Sequence, residues 1–113
     1  MTDLSAEDRK LVTLARATRA RTGAVEGAAV RDSDGRTYAA ATVALPSLQV
    51  SALGVCVAMA VASGSKGLEA AVVLTGADAV ADADLAAVRD LGGDAVVVHR
   101  GDVRGTILET SAS

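Results

Sequence analysis

The chain of 113 residues contains no Phe, no Trp and a single Tyr, although half of its residues are apolar. Any hydrophobic core must therefore be built from Ala, Val and Leu. Small side chains let helices and sheets approach one another closely, but each contact buries little apolar area. The length is that of one ordinary domain. The sequence shows no internal repeat and no linker, so we expect a single domain over residues 1–113.

Composition and charge disfavour several classes of protein. Proteins that stack nucleic-acid bases on aromatic platforms need more rings than Tyr38 and His99 provide. The net charge of −3 disfavours a general polyanion binder. The first residues carry no basic segment followed by an apolar stretch, so no secretory signal is expected. The longest apolar run, near residues 50–62, is too short for a membrane span. We expect a cytoplasmic protein.

Cys56 and His99 are the only residues of their types, which limits metal and disulfide chemistry. Zinc sites use three or four protein ligands, mostly Cys and His. We therefore predict no metal site and no cofactor. A single Cys cannot form an intramolecular disulfide, which fits a reducing compartment.

The residues that could carry other chemistry each have a simpler interpretation. Cys56 lies in an apolar stretch and is expected to be a small core residue rather than a reactive thiol. His99, beside Arg100, is expected to be solvated or capping rather than a general base. Asp82 and Asp84 are expected to stabilise the N-terminal N–H groups of a helix. We therefore assign no catalytic residue.

Hydrophobic periodicity and turn signals predict the order α-β-β-α-β-α-β-β. Ser5 begins the first helix, and the Asp-Ser-Asp-Gly segment at 32–35 is a strong hairpin signal. This order predicts an α/β protein with three layers, α/β/α, around a mixed five-stranded sheet. The predicted elements are helix 5–22, strands 24–31 and 37–43, helix 48–62, strand 68–74, helix 82–91, strand 95–98, a candidate edge strand at 104–108 and a polar tail at 109–113.

The second predicted helix has no polar face, because large apolar residues point in every direction around it. Such a helix is normally covered on more than one side. A ridge of small residues at 54, 58 and 62 would let a second helix come close. We therefore predict a homo-oligomer, a dimer or a tetramer, with these interface candidates: Leu53, Gly54, Val57, Ala58 and Val61.

The first predicted helix is basic, whereas the remainder of the chain is acidic. Arg9, Arg16 and Arg19 form a candidate contact face for an unknown acidic protein partner or for RNA. A solvated charged face is the simpler interpretation.

Residues 25–30 (Val-Glu-Gly-Ala-Ala-Val) followed by 34–38 (Asp-Gly-Arg-Thr-Tyr) resemble the hairpin of the cytidine deaminase family, in its small homo-oligomeric form. The resemblance extends from the first helix to about His99. It implies the cytidine deaminase-like fold and a nucleoside pocket with this hairpin as one wall. It also implies that copies of the chain assemble through the region of the second helix.

The residues that perform the family's chemistry are missing. That chemistry uses a zinc-bound water and a Glu that transfers its proton. The Cys-Ala-Glu at the start of the second helix falls on Leu53-Gly54-Val55, and a register through Cys56 still lacks the Glu. The Pro-Cys-x-x-Cys of the third helix falls on residues 80–84 (Val-Ala-Asp-Ala-Asp). The Asn-x-Glu that grips the ribose falls on residues 42–44 (Thr-Val-Ala).

The resemblance therefore predicts a pseudoenzyme, not an enzyme, with a structural or protein-interaction role. Two alternatives stay open. One is a zinc-free protein that binds or senses a nucleoside or another small ligand. The other is an enzyme of different chemistry.

Overall fold

The computed structural model describes residues 4–113 as three helices and seven strands. Most of the predicted elements are present at the expected places, and strand 68–74 has the predicted bounds. The elements are α1 (Ala6–Thr22), β1 (Gly27–Asp32), β2 (Thr37–Ala41), β3 (Val43–Leu45), β4 (Leu48–Val50), α2 (Ala52–Ala62), β5 (Leu68–Leu74), α3 (Asp82–Gly92), β6 (Val97–Gly101) and β7 (Ile107–Ala112).

Five strands form one mixed sheet in the order β2-β1-β5-β6-β7. Only β5 and β6 are parallel, and the other neighbours are antiparallel. Helix α1 packs on one face over β1, β2 and β5, while α2 and α3 pack on the other. The predicted three-layer α/β fold with a mixed five-stranded sheet is confirmed.

Helix α1 begins and ends where the sequence predicts. The Asp8 backbone N–H donates to the Ser5 hydroxyl, 3.1 Å away, and Gly23 ends the helix in the left-handed conformation. The helix approaches β1 closely because Gly27 has no side chain. A Cβ at this position would collide with the Ala15 carbonyl and with the Arg19 side chain. This close approach of α1 to the sheet is the packing expected of a core that is built from small residues.

The second helix is shorter than predicted, because residues 48–50 form strand β4 rather than a helical turn. β4 pairs with β3 in a separate two-stranded hairpin, with Leu45 opposite Leu48, so Pro46 and Ser47 form its turn. The helix starts at Ala52 after the N-cap Ser51, whose hydroxyl accepts from the Gly54 N–H at 3.0 Å. A Pro-containing turn and a helix breaker look alike in sequence, and the N-cap gives the true start.

The candidate edge strand is present but lies further along the chain than 104–108, and the polar tail predicted at 109–113 is wrong. β7 runs over Ile107–Ala112 and forms an edge of the sheet, while β6 extends to Gly101. An edge strand that faces solvent has no need of an apolar pattern. Its polar sequence therefore resembles a tail.

Candidate functional site

The N-termini of α2 and α3 meet beside the sheet, and one hydrogen bond joins them. The Ser51 hydroxyl donates to the Asp84 carboxylate across 2.6 Å, while it also caps α2. Asp84 is buried in the first turn of α3, whereas its neighbour Asp82 is exposed. The two carboxylates predicted to stabilise this helix end therefore differ: Asp84 connects two helices.

The structure places the N-cap of α2 at Ser51. With this helix start, the resemblance places its Cys-Ala-Glu on Ser51-Ala52-Leu53 rather than on residues 53–55. The second motif keeps its register, so its two Cys positions are Ala81 and Asp84. Two of the positions where the resemblance expects ligands, one at the start of α2 and one in the first turn of α3, therefore carry the hydroxyl and the carboxylate that bond to each other. Leu53, where this register of the resemblance expects the Glu, is fully buried in the core.

These side chains do not fit a zinc ion. A hydroxyl that is already committed as a donor, a methyl group and one carboxylate stand where the resemblance expects three sulfur ligands, which bind Zn²⁺ as thiolates. Within residues 4–113 no group of three or more His, Cys, Asp or Glu side chains is placed to hold a metal ion.

A cavity of about 410 Å³ opens beside the start of α2. The hairpin that resembles the family's pocket wall contributes Val25 and Glu26, and Gln49 and Ser51 complete the opposite side. The Glu26 carboxylate accepts from the Thr75 hydroxyl at 2.7 Å, and its backbone N–H donates to Thr42 Oγ1. The cavity therefore retains polar groups, although the chain itself already satisfies several of them.

Cys56 is fully buried on the sheet-facing side of α2, as predicted. Burial raises the pKa of its thiol to about 12. The Sγ lies 3.7 Å from the Tyr38 carbonyl oxygen and donates to it. This cysteine is a core residue.

The prediction of a solvated His99 is wrong. The side chain is buried beneath α1, with Nε2 at 2.8 Å from Asp8 Oδ2 and Nδ1 at 2.8 Å from Thr110 Oγ1. An ionised carboxylate only accepts, so Nε2–H is the donor to Asp8. The histidine lies inside β6, opposite Val72 of β5, rather than at a strand end. Because the predicted strand ends at residue 98, the sequence predicts that His99 lies outside the core.

Asp8 belongs to a charge network that the sequence did not reveal. Arg31 donates to Asp8 at 3.0 Å and to Glu69 at 2.9 Å. Burial alone would raise the pKa of Asp8, but the hydrogen bonds and charge supplied by His99 and Arg31 outweigh burial and lower it. The network ties the first turn of α1 to β1, β5 and β6. In sequence, Asp8 looks only like a partner of the Ser5 cap.

Asp32 is the second buried carboxylate, and it holds the β1–β2 turn against the loop that follows α2. Its oxygens accept from the Ser65 hydroxyl, from the Arg36 side chain and from the backbone N–H groups of Asp34 and Arg36. Burial acts to raise the pKa of Asp32, but these hydrogen bonds prevail and lower it. Its donors are provided within the chain, so the cluster is structural.

The five interface candidates on α2 separate into two groups. Leu53 is buried in the chain's own core, so it is not available to a second copy. Gly54 and Val57 are half-buried, Ala58 is exposed, and Val61 is 55% exposed. The helix has no charged residue, and a groove of about 300 Å³ separates it from α3. The outer face of α2 is therefore apolar and open.

The three arginines of the candidate contact face also differ. Arg9 and Arg16 are exposed on α1, whereas Arg19 is half-buried against the start of β1. Among residues 4–113, the Arg19 Nε is buried without a hydrogen-bond partner. Arg9 and Arg16 are the part of the face that solvent reaches.

No helix among residues 4–113 is long and apolar enough to cross a membrane.

Comparison with known proteins gives a consistent result. The cytidine deaminase-like family model matches residues 4–105, while no curated protein sequence matches. A cytidine deaminase from Burkholderia pseudomallei has a similar structure, with a TM-score of 0.81 at 20% identity, covering 96% of this chain and 93% of that one. For the cytidine deaminase from Mycobacterium leprae the TM-score is 0.74 at 18% identity, with 96% and 94% covered. For that from Mycobacterium tuberculosis it is 0.72 at 21%, with 83% and 85% covered.

Proposed function

The chain belongs to the cytidine deaminase-like family, and we propose that it keeps the fold without the deamination reaction. Its role is then structural or in protein interaction, and it works in the cytoplasm, where its single thiol stays reduced. The observation that supports this proposal is the hydrogen bond from Ser51 to Asp84. It joins the two helix ends from which the resemblance expects zinc ligands.

The chemistry of deamination requires two functions that these residues do not provide. A zinc ion must lower the pKa of a bound water, and a carboxylate beside it must move the proton. Ser51 and Asp84 satisfy each other, Ala81 has no donor atom, and Leu53 is an apolar core residue. A chain that kept the reaction would have to assemble it from other groups.

An interaction role is supported by the outer face of α2. Ala58 and Val61 are exposed on a helix without a single charge, next to an open groove that Val57 and Leu91 line. Contiguous exposed apolar surface in a protein of this size usually marks a contact surface. We propose that a second copy of the chain covers this face, which gives a dimer or a tetramer.

Sedimentation equilibrium tests this assembly directly. The proposal predicts a mass of at least twice 11.2 kDa at tens of micromolar. A single monomeric species at that concentration would contradict it.

A second candidate function is binding of a small ligand without zinc. The cavity of about 410 Å³ beside Ser51 supports this alternative, because Glu26 and Gln49 still contribute polar groups to it. A nucleoside-like molecule is the class of ligand that such a remnant pocket would accept.

A thermal-shift screen with nucleosides and with Zn²⁺ separates these proposals. A ligand that binds only the native state raises stability, by about 2.7 kcal/mol at a hundredfold excess over its dissociation constant. The interaction role predicts no shift with either. A rise in melting temperature with nucleosides alone would favour the ligand-binding function, and a rise with Zn²⁺ would contradict the loss of the metal site.

A further inference from the structure

A groove lies on the opposite side of the sheet from α2, between α1 and the edge strand β7. We call it the α1–β7 groove; its volume is about 900 Å³. Helix α1 covers β1, β2 and β5 but leaves β7 open to solvent. The residues that line it include Arg9, Val12 and Thr13 of α1 and Leu108, Glu109 and Thr110 of β7.

The β7 strand presents unpaired backbone groups along this groove. The Ser113 N–H donates to the Val96 carbonyl at 2.9 Å. This bond shows which N–H groups of β7 point towards β6 and which point away from it. Because antiparallel pairs alternate, the N–H groups of Ala112 and Thr110 point away from β6. The outward row is therefore a template on which another extended segment can form backbone hydrogen bonds.

The charge of the groove comes from α1. Among residues 4–113, neither Arg9 nor Arg16 takes part in an ion pair. Arg9 lines the groove, and the Arg16 side chain lies against Gly105 at its end. Glu109, the acidic residue of the opposite wall, is already paired with Arg100 at 3.2 Å. Arg9 and Arg16 are therefore cations beside this groove that can pair with the carboxylates of a ligand.

The walls of the groove are held in place before anything binds. Two hydrogen bonds of His99, one to the Asp8 carboxylate and one shared with the Thr110 hydroxyl, join the first turn of α1 to β6 and β7. Asp8 is fixed in turn by Arg31. A preformed groove spares a ligand part of the entropic cost of ordering its site.

We propose that the α1–β7 groove binds an extended acidic segment of a partner protein, which adds to β7 as a sixth strand. Its backbone pairs with the outward groups of β7, and its acidic side chains face Arg9 and Arg16. This inference rests on the proposed interaction role and names the chemistry of the partner.

A peptide rather than RNA fits the groove, because the free edge offers backbone hydrogen bonds and no aromatic residue lines the walls for base stacking. Alternation in a strand places every second side chain on the α1 side. Arg9 and Arg16 are about 10 Å apart along the helix axis, a distance that acidic residues on one side of a strand can reach.

The experiment measures fluorescence anisotropy with a labelled six-residue peptide, the length of β7, in which Val and Glu alternate. The proposal predicts saturable binding that weakens as salt is raised, and no binding of the same peptide with Lys in place of Glu. Two further peptides carry N-methyl groups on the odd or on the even residues. Only one of them should lose binding, because a paired strand turns only one set of N–H groups towards β7.

Variants of the protein test the two walls separately. Arg9→Ala should weaken binding about two- to fivefold, while the matched control Arg89→Ala, an exposed arginine on α3 at the other face, leaves it unchanged. Ala112→Pro removes one outward N–H without touching the β6 ladder and should weaken binding roughly tenfold. Circular dichroism confirms that each variant is folded.

Three results would overturn the proposal. They are no saturable binding of the acidic peptide, equal effects of both N-methylated peptides, and tighter binding of a uridine oligonucleotide with the same dependence on Arg9. The last would assign the groove to a nucleic-acid backbone. None of these results changes the zinc content or the cytidine turnover of the protein, so failure of this inference is distinguishable from failure of the proposed function.

Discussion

The thiol of Cys56 should be almost inert in the native protein, because α2 buries it against the sheet. Burial raises its pKa from 9.0 to about 12, which lowers the thiolate fraction at neutral pH by about a thousandfold. Since the thiolate is the reactive species, and access is blocked as well, labelling must wait for an opening of the fold. We expect the native rate to lie at least about a thousandfold below the rate of the unfolded chain.

The assay is the time course of Ellman's reagent at neutral pH, with and without denaturant, with Cys56→Ala as the blank. Labelling in native buffer within about tenfold of the unfolded rate would refute the reasoning. It would show that α2 is detached from the sheet, and with it the hydrogen bond from Ser51 to Asp84 would lose its support.

Three further predictions concern the carboxylates and the face of α2. The pKa values of Asp8 and Asp32 are lowered in the fold, so both carboxylates stabilise the native state fully above pH 3.8, and this stabilisation is lost as the pH falls below that value. The urea concentration at the unfolding midpoint should therefore be lower at pH 3 than at pH 6, and equal midpoints would contradict this. Asp32→Asn should cost about 2–3 kcal/mol of unfolding free energy, with the exposed Asp34→Asn as control; equal effects would remove the special role of Asp32. Ala58→Arg should dissociate the proposed assembly in sedimentation equilibrium, whereas Glu7→Arg should not; Gly54→Arg is a poorer probe, because a Cβ there meets the Ser51 hydroxyl at 2.8 Å.

Much of the fold can be predicted from this sequence, because its signals are local. The Ser5 cap and Gly23 delimit α1, the turn at 32–35 sets the first hairpin, and the apolar run at 68–74 is a buried strand. The mixed sheet follows from the order of these elements. The errors lie where a local signal has two structural meanings. Pro46 can precede a helix or turn a hairpin, and the polar β7 can be a tail or an edge strand.

The site is less predictable, since it depends on contacts between distant residues. The expected loss of the zinc ligand set rests on the single Cys and the single His of the sequence, but the bond from Ser51 to Asp84 joins residues 33 positions apart. His99 and Asp8 are 91 positions apart. No periodicity encodes such pairs. Asp8, in the first turn of α1, meets His99 of β6 only because α1 packs against that face of the sheet.

The measurement that tests the central claim most directly is metal analysis of the purified protein together with its turnover of cytidine. Replacement of the zinc ligands by the pair Ser51 and Asp84 predicts no stoichiometric zinc and no uridine above the uncatalysed background, even after incubation with Zn²⁺. One zinc per chain, with uridine formation that a chelator abolishes, would contradict the account.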